Sequence, residues 1–370
     1  MRKNNFGTKV RNKVVGALCS VVLAAGLCPV VALATDGTET LSYDADSVYS
    51  ATLQQESQAV IGSTFDVSLT TATSDAINNP ISCMQVTVEY NPKSVTLGEE
   101  NIKIDDSLEM GAFADDGKGV ARISFFGNTA TSVKAATLTF TGIKAGNPGI
   151  KIADATAGSA GQLEDKAVKY NKDDLNMRVL FKDVTDSSKF YFGNVYAAVD
   201  KGIISGYKDG NFGPADTLTR AQAAVILWGI YGKPSYGTTN TTGMADVKDN
   251  AFYTAAANWA VDKGVINGSK TSSGLLFNPD GKITRQDLCV MVSNAAYKLN
   301  GTSIGGADRT KLNSMSDADS VSSYAANAVA WSLNNGVING KGSFVAPKDD
   351  VTRGEMVTIA MNAIRKGLVG

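Results

Sequence analysis

One short motif occurs three times in the C-terminal half of this 370-residue chain. It ends in a Thr-Arg pair at residues 219–220, 284–285 and 352–353, so that successive arginines are 65 and 68 residues apart. A glycine-bounded segment precedes each pair, at residues 202–206, 264–268 and 336–340. A spacing this regular indicates one supersecondary unit used three times, with copies that pack together around a shared core.

Each unit is predicted to fold as a helix, a loop and a second helix. In the second unit, small and apolar residues over 253–261 predict the first helix, which Gly264 ends, and Thr284 begins the second helix. Six helices joined by short loops predict an all-α, pseudo-threefold helical bundle for this part of the chain.

The N-terminal half shows a different period. Between residues 60 and 152 apolar residues alternate with polar ones, as in the run that places Phe65, Val67 and Leu69 on one face. Turn-rich stretches separate these runs. Short alternating strands at this spacing predict an antiparallel, all-β sandwich of the jelly-roll or immunoglobulin-like kind over residues 47–170, followed by a linker at 171–179.

The first 34 residues have the form of an export signal peptide. Basic residues within 2–13 lead into an apolar stretch at 14–31, and Ala32-Leu33-Ala34 fits a cleavage site. Residues 35–46 then form a polar N-terminal segment. An uncleaved membrane anchor is the alternative, and the cleavage triplet argues against it. The sequence predicts an exported protein with no membrane span after signal cleavage.

The composition excludes several classes of site. Without residues 1–34 the chain has 30 basic and 36 acidic residues, and this net charge of −6 gives no general affinity for nucleic acid. The absence of histidine excludes Ser-His-Asp and Cys-His catalysis and histidine-containing zinc sites. No carboxylate pair lies in a glycosidase-like motif. We therefore expect no enzyme activity, cofactor or metal site. A glycosidase that uses only carboxylates is the alternative, and no motif in the sequence supports it.

The repeated motif resembles the S-layer homology (SLH) module in a tandem set of three. The first unit carries the fullest match, over Phe181–Val184, Gly202–Pro214 and Leu218–Gln222. The three modules would occupy residues 180–236, 243–300 and 312–368. The resemblance implies grooves between neighbouring units that bind secondary cell-wall polysaccharide, often pyruvylated. It also implies a place in the cell wall or S-layer at the cell surface of a Gram-positive-type bacterium.

The Thr-Arg motif also has physical consequences of its own. The threonine and the residue three positions later, Gln222, Asp287 or Glu355, form a capping-box pattern. The arginine places a cation at a helix start, which costs about 0.3–1 kcal/mol when it is exposed. A pyruvyl carboxylate beside it would reverse that cost. We therefore expect polysaccharide contacts at the arginines and at the acidic residue near the start of each unit: Arg220, Arg285, Arg353, Asp183, Asp246 and Asp317.

An intramolecular ion pair between these arginines and aspartates is the alternative, and it would make them structural. Two tryptophans, Trp259 and Trp331, also lie five residues before the glycine that ends a first helix. A ring at this position either stacks on a sugar or fills the core, and the resemblance associates it with the polysaccharide groove. The first unit has Ala197 at this position and Gln222 in place of the usual Glu, so not all three grooves need be competent.

The alternating N-terminal region resembles a cohesin module, in the segments Val60–Val67, Met84–Val95, Val120–Phe126 and Ala136–Ile143. Cohesins receive dockerin modules, so the resemblance implies a dockerin-bearing, polysaccharide-degrading enzyme as the partner. A carbohydrate-binding or adhesive sandwich and a structural S-layer subunit are the alternatives. The sequence thus predicts a wall-anchored surface protein that displays a cohesin-like binding domain.

Overall fold

The structure is a computed structural model that describes residues 47–129, 131–158, 166–272 and 274–370. The predicted signal peptide at 1–34 and the polar segment at 35–46 lie outside the described residues. The chain divides into two compact units, residues 1–181 and 182–370.

The first compact unit is built from β-strands. They are β1 (Tyr49–Gln55), β2 (Thr64–Thr73), β3 (Ile81–Glu89), β4 (Val95–Thr96), β5 (Ile102–Ile104), β6 (Met110–Asp115), β7 (Val120–Thr129), β8 (Ser132–Gly142), β9 (Lys151–Gly158), β10 (Lys166–Ala167) and β11 (Lys169–Tyr170). One sheet has the order β11-β1-β2-β8-β4, with β5 also paired to β8, and the other has the order β10-β9-β3-β7-β6. Among these described strands, only β1 and β11 pair in parallel.

The inner faces of the two sheets share one hydrophobic core. Phe65, Val67 and Leu69 on β2 are all buried, as the alternating pattern predicts. The Phe65 ring stacks on Phe140 with centroids 5.7 Å apart, and Tyr90 packs edge-on against Phe140 at 5.4 Å. The predicted β-sandwich is therefore confirmed, and its parallel β1–β11 pair departs from the purely antiparallel prediction.

Only the first part of the predicted linker at 171–179 is exposed; its second part packs onto the sandwich. Met177 and Val179 belong to its core, and Leu175 packs against it. Val179 and Gly146 donate hydrogen bonds to each other's carbonyl oxygens, with N–O distances of 2.9 and 3.0 Å. These apolar residues alternate over only five positions, and the polar residues before them hide the pattern.

The second compact unit contains the helices α1 (Phe192–Asp200), α2 (Arg220–Ile230), α3 (Thr254–Asp262), α4 (Arg285–Asn300), α5 (Thr310–Asn313), α6 (Ala326–Asn334) and α7 (Arg353–Arg365). The six predicted helices are α1 to α4, α6 and α7, while α5 is an additional single turn. This part of the chain is not purely helical, because β12 (Ser269–Thr271) and β13 (Gly274–Leu276) form a hairpin in the loop of the second unit. None of the helices in the described ranges has the length and apolar character needed to cross a bilayer.

The second helix of each unit begins as the capping pattern predicts. Thr219 and Thr352 accept hydrogen bonds from the backbone N–H three residues later, and Gln222 and Glu355 complete the reciprocal half of the capping box. Thr284 also accepts from the backbone N–H of Asp287. In this unit the Asp287 carboxylate does not accept from the backbone N–H of Thr284. It accepts from the Thr284 hydroxyl, which donates to it at 2.7 Å.

The three units contact one another in a closed order. The second helix of each unit packs against the first helix of the next, in the pairs α2–α3, α4–α6 and α7–α1. The segments just before the second helices also form a ring of hydrogen bonds. Leu218 donates its N–H to Val351, Val351 donates to Ile283, and Ile283 donates to Leu218, with N–O distances of 2.9–3.1 Å.

Candidate functional site

Each predicted arginine extends from its own unit into the loop of the next unit, and we call each such contact a junction. The loops comprise residues 205–216, 267–281 and 339–349. The backbone of each arginine is held in the same way: the N–H groups of Arg220, Arg285 and Arg353 donate to the carbonyl oxygens of Gly281, Asp349 and Asp216 at 2.8–3.0 Å. The junctions are therefore equivalent in backbone geometry, and any difference among them comes from side chains.

At the Arg353 junction the guanidinium is enclosed by the loop of the first unit. Its Nε donates to the carbonyl oxygen of Phe212 at 2.8 Å, and Nη2 donates to that of Ser205 at 2.9 Å. The guanidinium carbon lies 4.6 Å from the ring centroids of both Tyr207 and Phe212, within the range of a cation–π contact. Only 7% of Arg353 is exposed, so this arginine is a structural connection between the third and first units.

The Arg285 junction has the same carbonyl contacts and an added ion pair. Nε and Nη2 donate to the carbonyl oxygens of Val345 and Asn339, each at 3.0 Å. Nη1 lies 3.7 Å from the carboxylate of Glu355, which also pairs with Lys341 at 3.0 Å. Arg285 is 5% exposed, and its charge is compensated within the protein.

The Arg220 junction differs from the other two. Its guanidinium carbon lies 6.0 Å from the centroid of Phe277, and its buried Nε has no hydrogen-bond partner. Burial lowers the pKa of Arg220, with the nearby Asp287 and Tyr324 acting in the opposite direction, and burial lowers the pKa of Arg353 in the same way. The side chain is partly exposed, so Arg220 differs from the other two arginines in its unpaired Nε and in its access to solvent.

The three predicted aspartates bind backbone amides within their own units. Both carboxylate oxygens of each accept N–H hydrogen bonds at 2.6–2.8 Å: Asp183 from Phe212 and Gly213, Asp246 from Phe277 and Asn278, and Asp317 from Val345 and Ala346. They hold the loops that receive the arginines. The predicted aspartates therefore lie at the same junctions as the predicted arginines. They contribute by holding the loops rather than by direct ion pairs with the arginines.

The predicted tryptophans lie in the core of the helical region. Trp259 is 2% exposed and its ring lies 5.6 Å from that of Tyr231, while Trp331 is 4% exposed. Rings this deeply buried offer no face to a sugar in this conformation. Their burial fits the core-filling alternative rather than stacking on a ligand, and Trp259 contacts Tyr231 of the first unit.

A different set of aromatic residues is exposed at equivalent positions. Phe190, Phe252 and Tyr324 each lie twelve residues before the glycine that follows a first helix, and they are 64%, 69% and 62% exposed. Tyr324 differs from the phenylalanines because its hydroxyl donates to Asp287 at 2.6 Å and accepts from Gln286 at 2.8 Å. Sequence reasoning missed these rings, although their equal offset in all three units was a usable signal.

The sandwich has an open groove along one edge. It is lined by residues 50–52 on β1 and by residues 169–173, with a volume of about 480 Å³. Lys169, Lys172 and Asp173 make the lining polar. No group of three or more Asp, Glu, Cys or His in the described ranges is placed to hold a metal ion.

A solved structure similar to the sandwich is the cohesin module from a Clostridium perfringens ATCC13124 family 33 glycoside hydrolase. The match covers 34% of this chain and 93% of that module, with 17% identity and a TM-score of 0.30.

Two relatives match less than half of this chain. Identity to the Surface-layer 125 kDa protein of Lysinibacillus sphaericus is 30% over 146 residues, 40% of this chain and 11% of that protein. Identity to the Cellulosome-anchoring protein of Acetivibrio thermocellus is 25% over 168 residues, 45% of this chain and 36% of that protein. The chain thus spans only a minor part of either relative. The S-layer homology domain family matches residues 180–224, 244–289 and 314–357, and the chain therefore carries three S-layer homology domains.

Proposed function

We propose that this protein is a non-catalytic surface protein, held non-covalently at the bacterial cell wall by its three S-layer homology domains. The observation that carries the proposal is the presence of three such domains in tandem. Relatives named as surface-layer and cellulosome-anchoring proteins support a location at the cell surface. The ligand of the domains is secondary cell-wall polysaccharide, carrying pyruvyl groups.

The three domains form a pseudo-threefold bundle in this proposal. The closed order of helix contacts and the ring of backbone hydrogen bonds support it. Polysaccharide would bind at the surface of the junctions, where an arginine of one unit meets the loop of the next. Arg285, Arg353 and the aspartates Asp183, Asp246 and Asp317 would support binding by fixing the loops, and Trp259 and Trp331 by filling the core beneath.

Co-sedimentation of the mature chain, residues 35–370, with purified cell walls tests the anchoring role. Walls before and after hydrofluoric-acid extraction of the polysaccharide provide the matched pair of ligands. We expect the protein to sediment with intact walls and to stay in solution with extracted ones. Equal binding to both preparations, or binding to neither, would contradict polysaccharide anchoring.

We further propose that the sandwich recruits a protein partner, such as a dockerin-bearing enzyme that degrades polysaccharide. The sequence resemblance to cohesin modules supports this role. The polar edge groove beside Lys169 and Asp173 favours a carbohydrate-binding or adhesive role as the second candidate. A structural S-layer subunit is the third.

Three measurements on the mature chain separate these candidates. Capture of a purified dockerin module would support the first, and binding on a glycan array that is lost in Lys172→Ala would support the second. Regular two-dimensional assembly seen by electron microscopy would support the third. Failure of the dockerin capture would remove the first candidate, whatever the outcome of the other two.

A further inference from the structure

We propose that two Asn-Gly pairs in the helical region, Asn267-Gly268 and Asn339-Gly340, are sites at which asparagine converts spontaneously to aspartate and isoaspartate. The chain has four Asn-Gly pairs, all in this region, and the other two are Asn300-Gly301 and Asn335-Gly336. Hydrogen bonds of the folded protein protect the pairs at 300 and 335 and leave those at 267 and 339 reactive. This covalent modification does not depend on what the protein binds.

The reaction needs only the chain and water. The backbone nitrogen of the glycine attacks the side-chain carbonyl carbon of the asparagine, and the new C–N bond closes a succinimide ring. The bond from that carbon to the amide nitrogen breaks, and this nitrogen leaves as ammonia with the proton that the glycine nitrogen has lost. Water then opens the ring at either of its carbonyl groups and gives aspartate or isoaspartate. Glycine favours the attack because it has no Cβ to hinder the approach.

Two groups must be free for this attack to occur. The glycine N–H has to leave any acceptor to which it donates, because its nitrogen becomes the nucleophile. The asparagine carboxamide has to rotate toward that nitrogen, and a hydrogen bond to a neighbouring residue opposes the rotation. Each hydrogen bond that must break first lowers the population of the reactive arrangement. The order of reactivity therefore follows from the hydrogen bonds of the four pairs.

The pair after α6 has both of its reacting groups held. The N–H of Gly336 donates to the carbonyl oxygen of Leu333 at 3.2 Å. The side-chain Nδ2 of Asn335 donates to the carbonyl oxygen of Trp331 at 2.9 Å. Both bonds reach back to the last turn of the helix, so the reaction requires local unfolding of the helix end.

The pair at the end of α4 is protected in the same way. The N–H of Gly301 donates to the carbonyl oxygen of Tyr297 at 3.2 Å. The side-chain Oδ1 of Asn300 accepts from the hydroxyl of Tyr231 at 2.7 Å. Asn300 is nevertheless an exposed residue. Exposure to solvent alone therefore does not distinguish the protected pairs from the reactive ones.

The two remaining pairs lie outside helices and strands, where the loops of the second and third units begin. Among the residues that the structure describes, none accepts a hydrogen bond from the N–H of Gly268 or Gly340. In the same part of the chain, the carboxamides of Asn267 and Asn339 have no hydrogen-bond partner, and both residues are exposed. These two pairs thus meet both conditions for the attack.

Modification at Asn339 changes a contact that joins the second and third units. The backbone carbonyl oxygen of Asn339 accepts from Nη2 of Arg285 at 3.0 Å. In an isoaspartyl product the chain continues through the former side-chain carbon, and this backbone carbonyl becomes a free carboxylate. The loop at 339–349 thereby gains a backbone atom where it holds Arg285, and we expect the fold to be weakened there.

Peptide mass mapping of the folded mature chain, incubated in mildly alkaline buffer, tests the inference. We expect aspartate and isoaspartate to form at Asn267 and Asn339 roughly tenfold or more faster than at Asn300 and Asn335, because each protected pair must first break two hydrogen bonds. Equal rates at all four pairs, or faster conversion at a protected pair, would overturn the inference. So would a folded chain that stays unmodified at Asn267 and Asn339.

The same incubation in concentrated urea is the control for the role of the fold. Because every pair has the sequence Asn-Gly, the four should react at similar rates once the hydrogen bonds are lost. An order of reactivity that persists in urea would show that neighbouring residues set it, and would overturn the inference. Asn267→Ser and Asn339→Ser, which introduce the residue that the first unit has at Ser205, should each abolish modification at the substituted site alone.

Urea unfolding before and after the incubation tests the effect on the Arg285 contact. Tryptophan fluorescence reports on this part of the chain, because all three tryptophans lie in the helical region. The urea midpoint should fall during incubation of the parent protein, and it should fall less in Asn339→Ser. An equal fall in both proteins, or no fall in a parent shown to be modified, would overturn the effect on the loop that holds Arg285.

Discussion

The sandwich and the helical region are stabilised in different ways. The sandwich buries large side chains between two sheets, with Phe65, Phe140 and Tyr90 in mutual contact. The helical region buries many alanines and joins its units through arginines that donate to loop carbonyl oxygens. An apolar core depends on volume shared by many residues, whereas the junctions depend on a few directional contacts. One junction can therefore change without loss of the whole fold.

The largest expected effect is in the sandwich. Replacement of Phe140, which is fully buried between Phe65 and Tyr90, by alanine leaves a cavity and should reduce the free energy of unfolding by about 3–5 kcal/mol. Hydrogen–deuterium exchange of peptides from β2 and β8 measures the effect directly. Unchanged protection of these peptides would show that the core does not depend on this ring.

Arg353→Met should have the next largest effect, in the helical region. It removes two charge-assisted hydrogen bonds to loop carbonyl oxygens and two cation–π contacts, and should cost about 3 kcal/mol. Urea unfolding followed by tryptophan fluorescence measures it.

Arg220→Met is the matched variant for this comparison. It removes a buried donor that has no partner, so the free energy of unfolding should stay the same or rise. Equal destabilisation by the two substitutions would contradict the difference between Arg353, which donates to loop carbonyl oxygens, and Arg220, whose Nε has no partner.

A smaller effect is expected at the start of α7. Thr352→Ala removes the side-chain oxygen that accepts from Glu355 N–H, which typically costs about 1 kcal/mol. The same urea experiment detects it. Thr358→Ala is the comparison variant that leaves the cap intact; it removes a mid-helix hydroxyl that donates to the Gly354 carbonyl and accepts from the Asn194 side chain at 3.2 Å. A Thr352→Ala protein as stable as the parent would contradict the role of the cap.

The smallest effect should be a gain in stability. Ala346 has a φ of 55°, and the residue at the equivalent loop position of the first unit is Gly213, with a φ of 70°. Ala346→Gly should relieve left-handed strain and raise the free energy of unfolding by about 0.5–1 kcal/mol. The reverse change, Gly213→Ala, should destabilise, because the new Cβ would lie 2.6 Å from the Tyr207 ring. A destabilised Ala346→Gly protein would show that the loop tolerates alanine without strain.

The sequence predicted the elements that follow regular periods. The burial of Phe65, Val67 and Leu69 follows from alternation along a strand, and the capping of α7 by Thr352 follows from local backbone chemistry. The position of Trp259 could not be predicted in this way, because the helix period does not say which neighbour covers which face. That depends on the pairing of α2 with α3, a contact between units.

The candidate site was predicted in part. The repeated position of Arg220, Arg285 and Arg353 identified the junctions, because the same pattern recurs three times. The sequence did not predict that Arg353 meets the carbonyl oxygens of the first unit, since this contact joins residues more than a hundred positions apart. It also did not predict the hairpin of the second loop, whose difference from the other two loops is an insertion of a few residues.

The ring of hydrogen bonds through Leu218, Ile283 and Val351 has a consequence for the evolution of this region. Each segment donates to one neighbour and accepts from the other, so no backbone edge is left for an additional copy. An open array of repeats can gain or lose a member at its ends if capping repeats are kept. Here, duplication or deletion of one unit would break the ring and leave an arginine without its loop. We therefore expect descendants of this gene to keep three copies and to diversify by substitutions within individual loops.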